Sequence, residues 1–408
     1  MDAFNKNIII VFLGSTITNF INLLYQLLIA HNLNAADFAA FNSLLSIFML
    51  ISSPIGTFQA VIAKYSSEFR ARNELEKVHT LLFVVMKNAL ICGLVSFLIL
   101  YFLSPIILDR LKINSSYSGL ILAILVAASF ILPVLSGGLQ GAESFKWFSF
   151  VQIISGIAKL LLTALFLYLG FSISGALGGL MLSSLAAIGI SVIPLKKLIK
   201  PIKKIAQINF QGILIFVFPV AISYFCFIAL VTFDMVQVKY FFDAESSGVY
   251  SLAQMIGKIF LFLPGAISIV MFPRVSGLNA RNLDTSATLK YSLLIGALLC
   301  LSAVIFYNIF PDFVLRLLTG KAPQEAIFLG RFFGISMSFF TLMSILMTYF
   351  LSIKDLRFIK YLVTFTALQF LAIAFMHTSL LQVLLILCVN SVFVFGTLLL
   401  LANFPKKR

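Results

Sequence analysis

This sequence predicts an all-α polytopic membrane protein of about 12 transmembrane helices, arranged as two six-helix lobes around a central cavity. Three observations carry that expectation. Hydrophobic residues make up 61% of the 408-residue chain and charged residues 11%, with a mean hydropathy of +1.09, far from the balance of a soluble domain. The apolar runs exceed ~18 residues and lack the ~10-residue alternation of barrel strands, so helices cross the bilayer. A basic segment, LKKLIKPIKK at residues 195–204, divides the runs into two sets of six.

The first six spans fall at approximately 8–30, 38–62, 80–103, 118–139, 148–169 and 174–195. The second six fall at approximately 210–232, 248–272, 289–311, 326–351, 361–377 and 380–402. The first run reads as a retained helix rather than a cleaved signal. The expected domains are therefore an N-terminal lobe at 1–195, a basic linker at 196–209 and a C-terminal lobe at 210–408. Twelve spans place both termini on one side, and that side carries twenty of the 29 lysines and arginines against five opposite. The positive-inside rule makes it the cytoplasm. The net charge of +15 thus follows membrane topology and does not point to nucleic acid. The linker and the terminal PKKR suit anionic headgroups.

A weak internal repeat supports two related lobes. Pro54, Lys64 and Ser66 recur as Pro264, Arg274 and Ser276 at a constant offset of 210, as a duplicated transporter would show. Cys92, Cys226, Cys300 and Cys388 all lie in apolar spans without metal-ligand spacing, which disfavours a zinc site or a disulfide framework. His31, His79 and His377 are scattered near span ends, and no cofactor is called for. Gly137 with Gly141, and Gly175 with Gly179, have the spacing of close helix packing.

Four cations remain inside spans: Lys87, Lys159, Lys258 and Arg331. Summed on an insertion scale they would cost about 10–14 kcal/mol before snorkelling and hydration. No carboxylate lies clearly inside a span; Asp234, at the outer end of the seventh, comes nearest, and either pairs with a cation such as Lys239 or lies free in a vestibule. Polar stripes accompany the lysines. Ser15, Asn19, Asn22 and Gln26 line one face of the first span; Gln152, Ser155, Lys159 and Thr163 line one face of the fifth; Ser251, Gln254 and Lys258 do so in the eighth. Such stripes serve either as interhelical glue or as a hydrated cavity wall. A cation-lined cavity prefers an anionic guest, lysine suits phosphate as a flexible point charge, and amides and hydroxyls suit sugar hydroxyls. The candidate substrate-binding residues are Lys159, Lys258, Lys87, Arg331, Asn19, Asn22, Gln26, Gln152 and Gln254.

Three segments carry a resemblance: LNAADFAAFNSLLSIF at 33–48, GGLQGAESFKWFSFVQIISGIAKLLL at 137–162, and FDMVQVKYFFDAESSGVYSLAQMIGKIFLFLPGAISIVMFPRVS at 233–276. Through them the chain resembles the Wzx-type O-antigen and capsule flippases of the multidrug/oligosaccharidyl-lipid/polysaccharide exporter (MOP) superfamily. The resemblance implies a bacterial inner-membrane protein with alternating access, exporting a polyprenyl-diphosphate-linked oligosaccharide. Membrane lipids and polysaccharide assembly proteins are the further expected partners. By that analogy Lys159 and Lys258 meet diphosphate or acidic sugars, and Asp234 serves an outer gate or ion coupling. With about twelve spans and no cation in its first helix, the chain departs from the lipid II flippase branch. The rival reading is a drug or cation antiporter of the same superfamily, for which Asp234 is the one candidate carboxylate. An enzyme is disfavoured, because no Ser/His/Asp, paired-carboxylate or Gly-rich phosphate motif stands at a membrane face.

Overall fold

Long apolar runs punctuated by charge fold as helices, because in hydrocarbon each backbone polar group must be met within its own segment. The computed structural model describes residues 3–199, 206–208, 210–262, 265–281 and 283–403. Pro264, residues 200–205 of the basic segment and the terminal PKKR lie outside the described residues. The first six helices are α1 (Ala3–Asn32), α2 (Ala35–Ala71), α3 (Leu75–Arg110), α4 (Ser116–Gly141), α5 (Phe145–Tyr168) and α6 (Ser172–Ile199). Next come α7 (Phe210–Phe241), α8 (Ala244–Phe262), α9 (Gly265–Ala280), α10 (Ser286–Ile309) and α11 (Pro311–Thr319). The chain closes with α12 (Gln324–Ser352), α13 (Phe358–Phe375) and α14 (Leu380–Asn403). Among the described residues there is no strand. Among the described residues eleven helices are long and apolar enough to cross a membrane, and the protein is a multi-pass membrane protein.

The span expected at 248–272 is described as α8 and α9, on either side of residues 263–264, which lie outside the described residues. One feature corrects the sequence reading. The stretch between α10 and α12, expected as loop, carries the short amphipathic α11. Its Leu315 and Leu318 are buried while Phe313 and Leu317 are exposed. Several helices also outrun their apolar runs: α2 has 37 residues, about 55 Å at 1.5 Å per residue, against a hydrocarbon core of about 30 Å.

Contacts divide the chain into two compact units that interleave in sequence: Met1–Leu33 with Ile47–Ala221, and Asn34–Ser46 with Ile222–Arg408. In the first unit, α4 packs against α3 and α6, and α5 against α1 and α6. Glycines allow close approaches of α4 to α2 and of α6 to α5, as their spacing predicted. A methyl on Gly137 would lie 2.6 Å from the Gln59 carbonyl oxygen, and one on Gly175 would lie 3.0 Å from Phe166 Cβ. In the second unit, α12 is the hub, packed on α8, α9, α10 and α14. Its Phe333 meets Tyr250 edge to face at 5.0 Å.

Helix termination is equally regular. At Asn73, Lys112, Glu143, Gly170 and Lys354 the backbone turns left-handed, with φ between 54° and 85°. At each, the next residue's N–H reaches back to the carbonyl five residues earlier, as Ile113 does to Leu108 at 2.9 Å and Ser144 to Leu139 at 2.9 Å. These are Schellman ends.

Prolines inside spans leave a carbonyl without its amide. Pro54 deprives Leu50, and the Ser53 hydroxyl donates to that oxygen at 3.3 Å. Pro105 deprives Tyr101, and Ser104 donates there at 3.0 Å. The serine of each Ser-Pro pair replaces the lost donor, as membrane helices require. Ser53→Ala is therefore expected to lower stability in detergent by about 0.5–1.5 kcal/mol, read from thermal unfolding. In a Pro54→Ala background, where the amide returns, the same substitution should cost little. An equal loss in both backgrounds would refute the compensation.

Candidate functional site

Among the described residues, two groups of membrane-embedded polar side chains hold a lysine, one in each unit. In the first unit they line a cavity of about 140 Å³. Helix spacing assembles it. Thr18 and Asn22 come from α1 and Gln152, Ser155 and Lys159 from α5, each set three, four or seven residues apart and so on one face; the adjacent Ser183 and Ser184 come from α6. Lys159 Nζ donates to Asn22 Oδ1 and lies 4.5 Å over the Tyr25 ring, a cation–π contact. Buried Tyr25 is itself fixed by donating its hydroxyl to the Ala176 carbonyl at 3.0 Å. No carboxylate forms an ion pair with Lys159 among the described residues.

The second cluster joins α2, α7 and α8 inside the second unit. Asp234 is fully buried within the candidate span Val217–Phe241. Tyr250 donates its hydroxyl to Asp234 Oδ2 at 2.6 Å, and Gln254 Nε2 lies 3.3 Å from both carboxylate oxygens. One turn further along α8, Lys258 Nζ donates to Asn42 Oδ1 at 2.7 Å. Asn42 Nδ2 in turn donates to Ser251 Oγ at 2.8 Å and to the Phe38 carbonyl at 3.0 Å. The Oε1 of Gln254 is buried without a hydrogen-bond partner.

This geometry overturns the expectation that no carboxylate lies inside a span. Asp234 is neither free in a vestibule nor at the rim; it is a buried acceptor held by two donors on α8. Lys258 therefore has an opposite charge with which it interacts electrostatically, whereas Lys159 has none among the described residues.

The sequence candidates sort accordingly. Asn22, Gln152 and Lys159 come together at the first-unit cavity, and Gln254, Lys258 and Asp234 in the second-unit network. Asn19 is exposed and Gln26 half-buried, and neither lines the cavity. Lys87 and Arg331 are exposed on α3 and α12 and belong to neither cluster. Thr163, the fourth member of the α5 stripe, turns instead onto Gly179 of α6. Sequence reading missed Asn42, Tyr25, Tyr250, Ser183 and Ser184. The one available signal was that Asn42 and Tyr250 sit in the segments that carry the family resemblance. The larger cavity of the first unit, about 650 Å³, is lined by Pro54, Ile55, Phe58, Val217, Phe218, Pro219 and Ala221, none with a polar side chain.

A family model described as polysaccharide biosynthesis protein matches residues 4–279, more than half of the chain. The chain belongs to that family. No curated protein matches it. Among solved structures, the fold is similar to an inward-facing multidrug resistance MATE family transporter of the MOP superfamily. The TM-score is 0.75 at 15% identity, covering 95% of this chain and 94% of that one. It is also similar to the lipid II flippase MurJ in an inward closed conformation, at TM-score 0.73 and 15% identity, with 97% and 88% covered. A third is a MOP superfamily transporter from Pyrococcus furiosus, whose reversed pocket polarity suggests a different function, at TM-score 0.60 and 16% identity, with 97% and 94% covered. The family member thus has the all-helical MOP transporter fold.

Because the Asp234 and Lys258 charges interact electrostatically in a buried setting, their substitutions should couple. Asp234→Asn alone is expected to destabilise the protein more than Asp234→Asn combined with Lys258→Gln, with a coupling energy of about 0.5–3 kcal/mol. Thermal unfolding of the four cycle members in detergent measures it. Strict additivity would mean that the two groups are independent.

Proposed function

We propose that this family member is a flippase that carries a polyprenyl-diphosphate-linked oligosaccharide, the unit of an O-antigen, capsule or other surface polysaccharide, outward across the bacterial inner membrane by alternating access. The observation that carries the reading is Lys159. An ammonium at mid-span without a carboxylate, facing a cavity walled by amides and hydroxyls, is a site for anionic, hydroxyl-rich cargo. Family membership supports the link to polysaccharide. The MOP fold supports transport, and the lipid II flippase among its neighbours supports a lipid-linked cargo. The charge asymmetry of the loops supports cytoplasmic termini. Polysaccharide assembly proteins are proposed partners on the same grounds.

In this reading Asp234, held by Tyr250 and Gln254, serves gating or ion coupling, and Lys258 stabilises that buried carboxylate. Lys87 and Arg331, exposed at their helix surfaces, snorkel to headgroups. The buried carboxylate also favours one alternative, a drug or cation antiporter of the same superfamily, in which Asp234 would exchange an ion for a cationic drug.

Proteoliposomes loaded with the lipid-linked oligosaccharide, and separately with a cationic dye, discriminate between the two. Lys159→Gln is expected to slow oligosaccharide flipping by about tenfold or more, the loss of one charge-assisted contact. Dye efflux that is lost in Asp234→Asn and indifferent to Lys159→Gln would establish the antiporter instead.

A further inference from the structure

The first-unit cavity is too small for a whole cargo, and the hydrogen-bonding state of its walls says which part of a cargo fits. Its volume of about 140 Å³ equals about four to five waters at ~30 Å³ each. That accommodates one sugar ring or one compact charged group.

The wall hydroxyls have committed their protons. Thr18 Oγ1 donates to the Gly14 carbonyl at 2.8 Å, and Ser155 Oγ to the Gln152 carbonyl at 3.1 Å. Ser183 Oγ and Ser184 Oγ both donate to the Leu180 carbonyl, at 2.9 and 2.8 Å. Each hydroxyl therefore has only oxygen lone pairs left for a ligand. A diphosphate brings acceptors alone, so it would face acceptor against acceptor unless every hydroxyl gave up its helix bond. Sugar hydroxyls bring donors. The one strong donor on the wall is Lys159, which has three N–H groups and uses one on Asn22. Opposite it the ligand must carry a negative group.

We propose that this cavity is a subsite for a single acidic sugar ring, a uronate, whose carboxylate meets Lys159 and whose hydroxyls donate to Thr18, Ser155 and the Ser183–Ser184 pair. The inference rests on the flippase reading and deepens it: the cavity selects the glycan, and the diphosphate is bound elsewhere. Gln152 and the spare capacity of Asn22 complete the ring's partners, since an amide both donates and accepts.

The test uses the full chain purified in detergent, with D-glucuronate, D-glucose and inorganic pyrophosphate as probes at millimolar concentrations. Binding is read by thermal stabilisation and by saturation-transfer NMR. Glucuronate should half-saturate at about tenfold lower concentration than glucose, the advantage of a charge-assisted contact. Lys159→Gln should erase that advantage, leaving glucuronate no better bound than glucose, and Lys159→Arg should retain most of it. Ser183→Ala with Ser184→Ala should weaken both sugars and leave Lys159 in place. Pyrophosphate should neither stabilise nor compete.

Lys159-dependent competition by pyrophosphate would overturn the proposal in favour of a diphosphate seat. Equal affinity for the two sugars, or no binding of either, would overturn it as well. Flipping of the lipid-linked cargo in proteoliposomes, measured in parallel, separates the two levels. Flipping without sugar binding removes only the subsite, whereas absence of flipping removes the flippase reading.

Discussion

The constraint on which the structure depends is that a polar group inside a bilayer must find its partner within the protein. Water cannot supply one there, and each orphan costs several kcal/mol. The fold meets this requirement at every scale. Serines restore the carbonyl bonds that Pro54 and Pro105 remove. Gln237 reaches from α7 to the Phe370 carbonyl at 3.0 Å while Gln369 reaches from α13 to the Leu230 carbonyl at 2.9 Å. Asn390 then satisfies the other end of Gln369 at 2.9 Å. Amides here act as cross-ties between helices that apolar packing alone would leave free to slide.

The same constraint separates the two lysines that the sequence treats as equals. Each is held by an asparagine on another helix, Lys159 by Asn22 and Lys258 by Asn42. An asparagine oxygen offers a dipole and not a charge, so it orients an ammonium without neutralising it. Lys258 also interacts electrostatically with Asp234, while Asn42 holds Ser251 as well. Lys159 has no such carboxylate among the described residues and borders a cavity. A charge that the protein leaves uncompensated at a cavity wall is where binding energy for an opposite charge remains to be gained. That difference is why the proposed cargo site is assigned to the first unit.

Most of the architecture was legible because it follows from hydropathy and spacing. Helical spans, the glycine approaches at Gly137 and Gly175 and the shared faces of 152, 155 and 159 all depend on local sequence. The Asp234 burial was not legible. A carboxylate seven residues from the end of α7 reads as rim by sequence distance, and only the packing of α8 shows that Tyr250 and Gln254 enclose it. Asn42 was hidden by its surroundings: one amide among the several polar residues of LNAADFAAFNSLLSIF does not stand out until its partner, 216 residues away, is brought to it.

A fold shared with multidrug transporters and with a lipid II flippase at 15% identity leaves cargo to the side chains. A cationic drug needs a carboxylate or an aromatic face free to receive it. At the first-unit cavity the aromatic face of Tyr25 is already covered by Lys159, and the ammonium repels a second cation in a low-dielectric setting where that repulsion is strong. Substituting that one position changes both terms together: without the lysine, the Tyr25 ring is uncovered and the repulsion is gone. Charge polarity at the cavity is thus concentrated in one side chain. A scaffold of this kind can therefore pass between anionic and cationic cargo with little change to its helices.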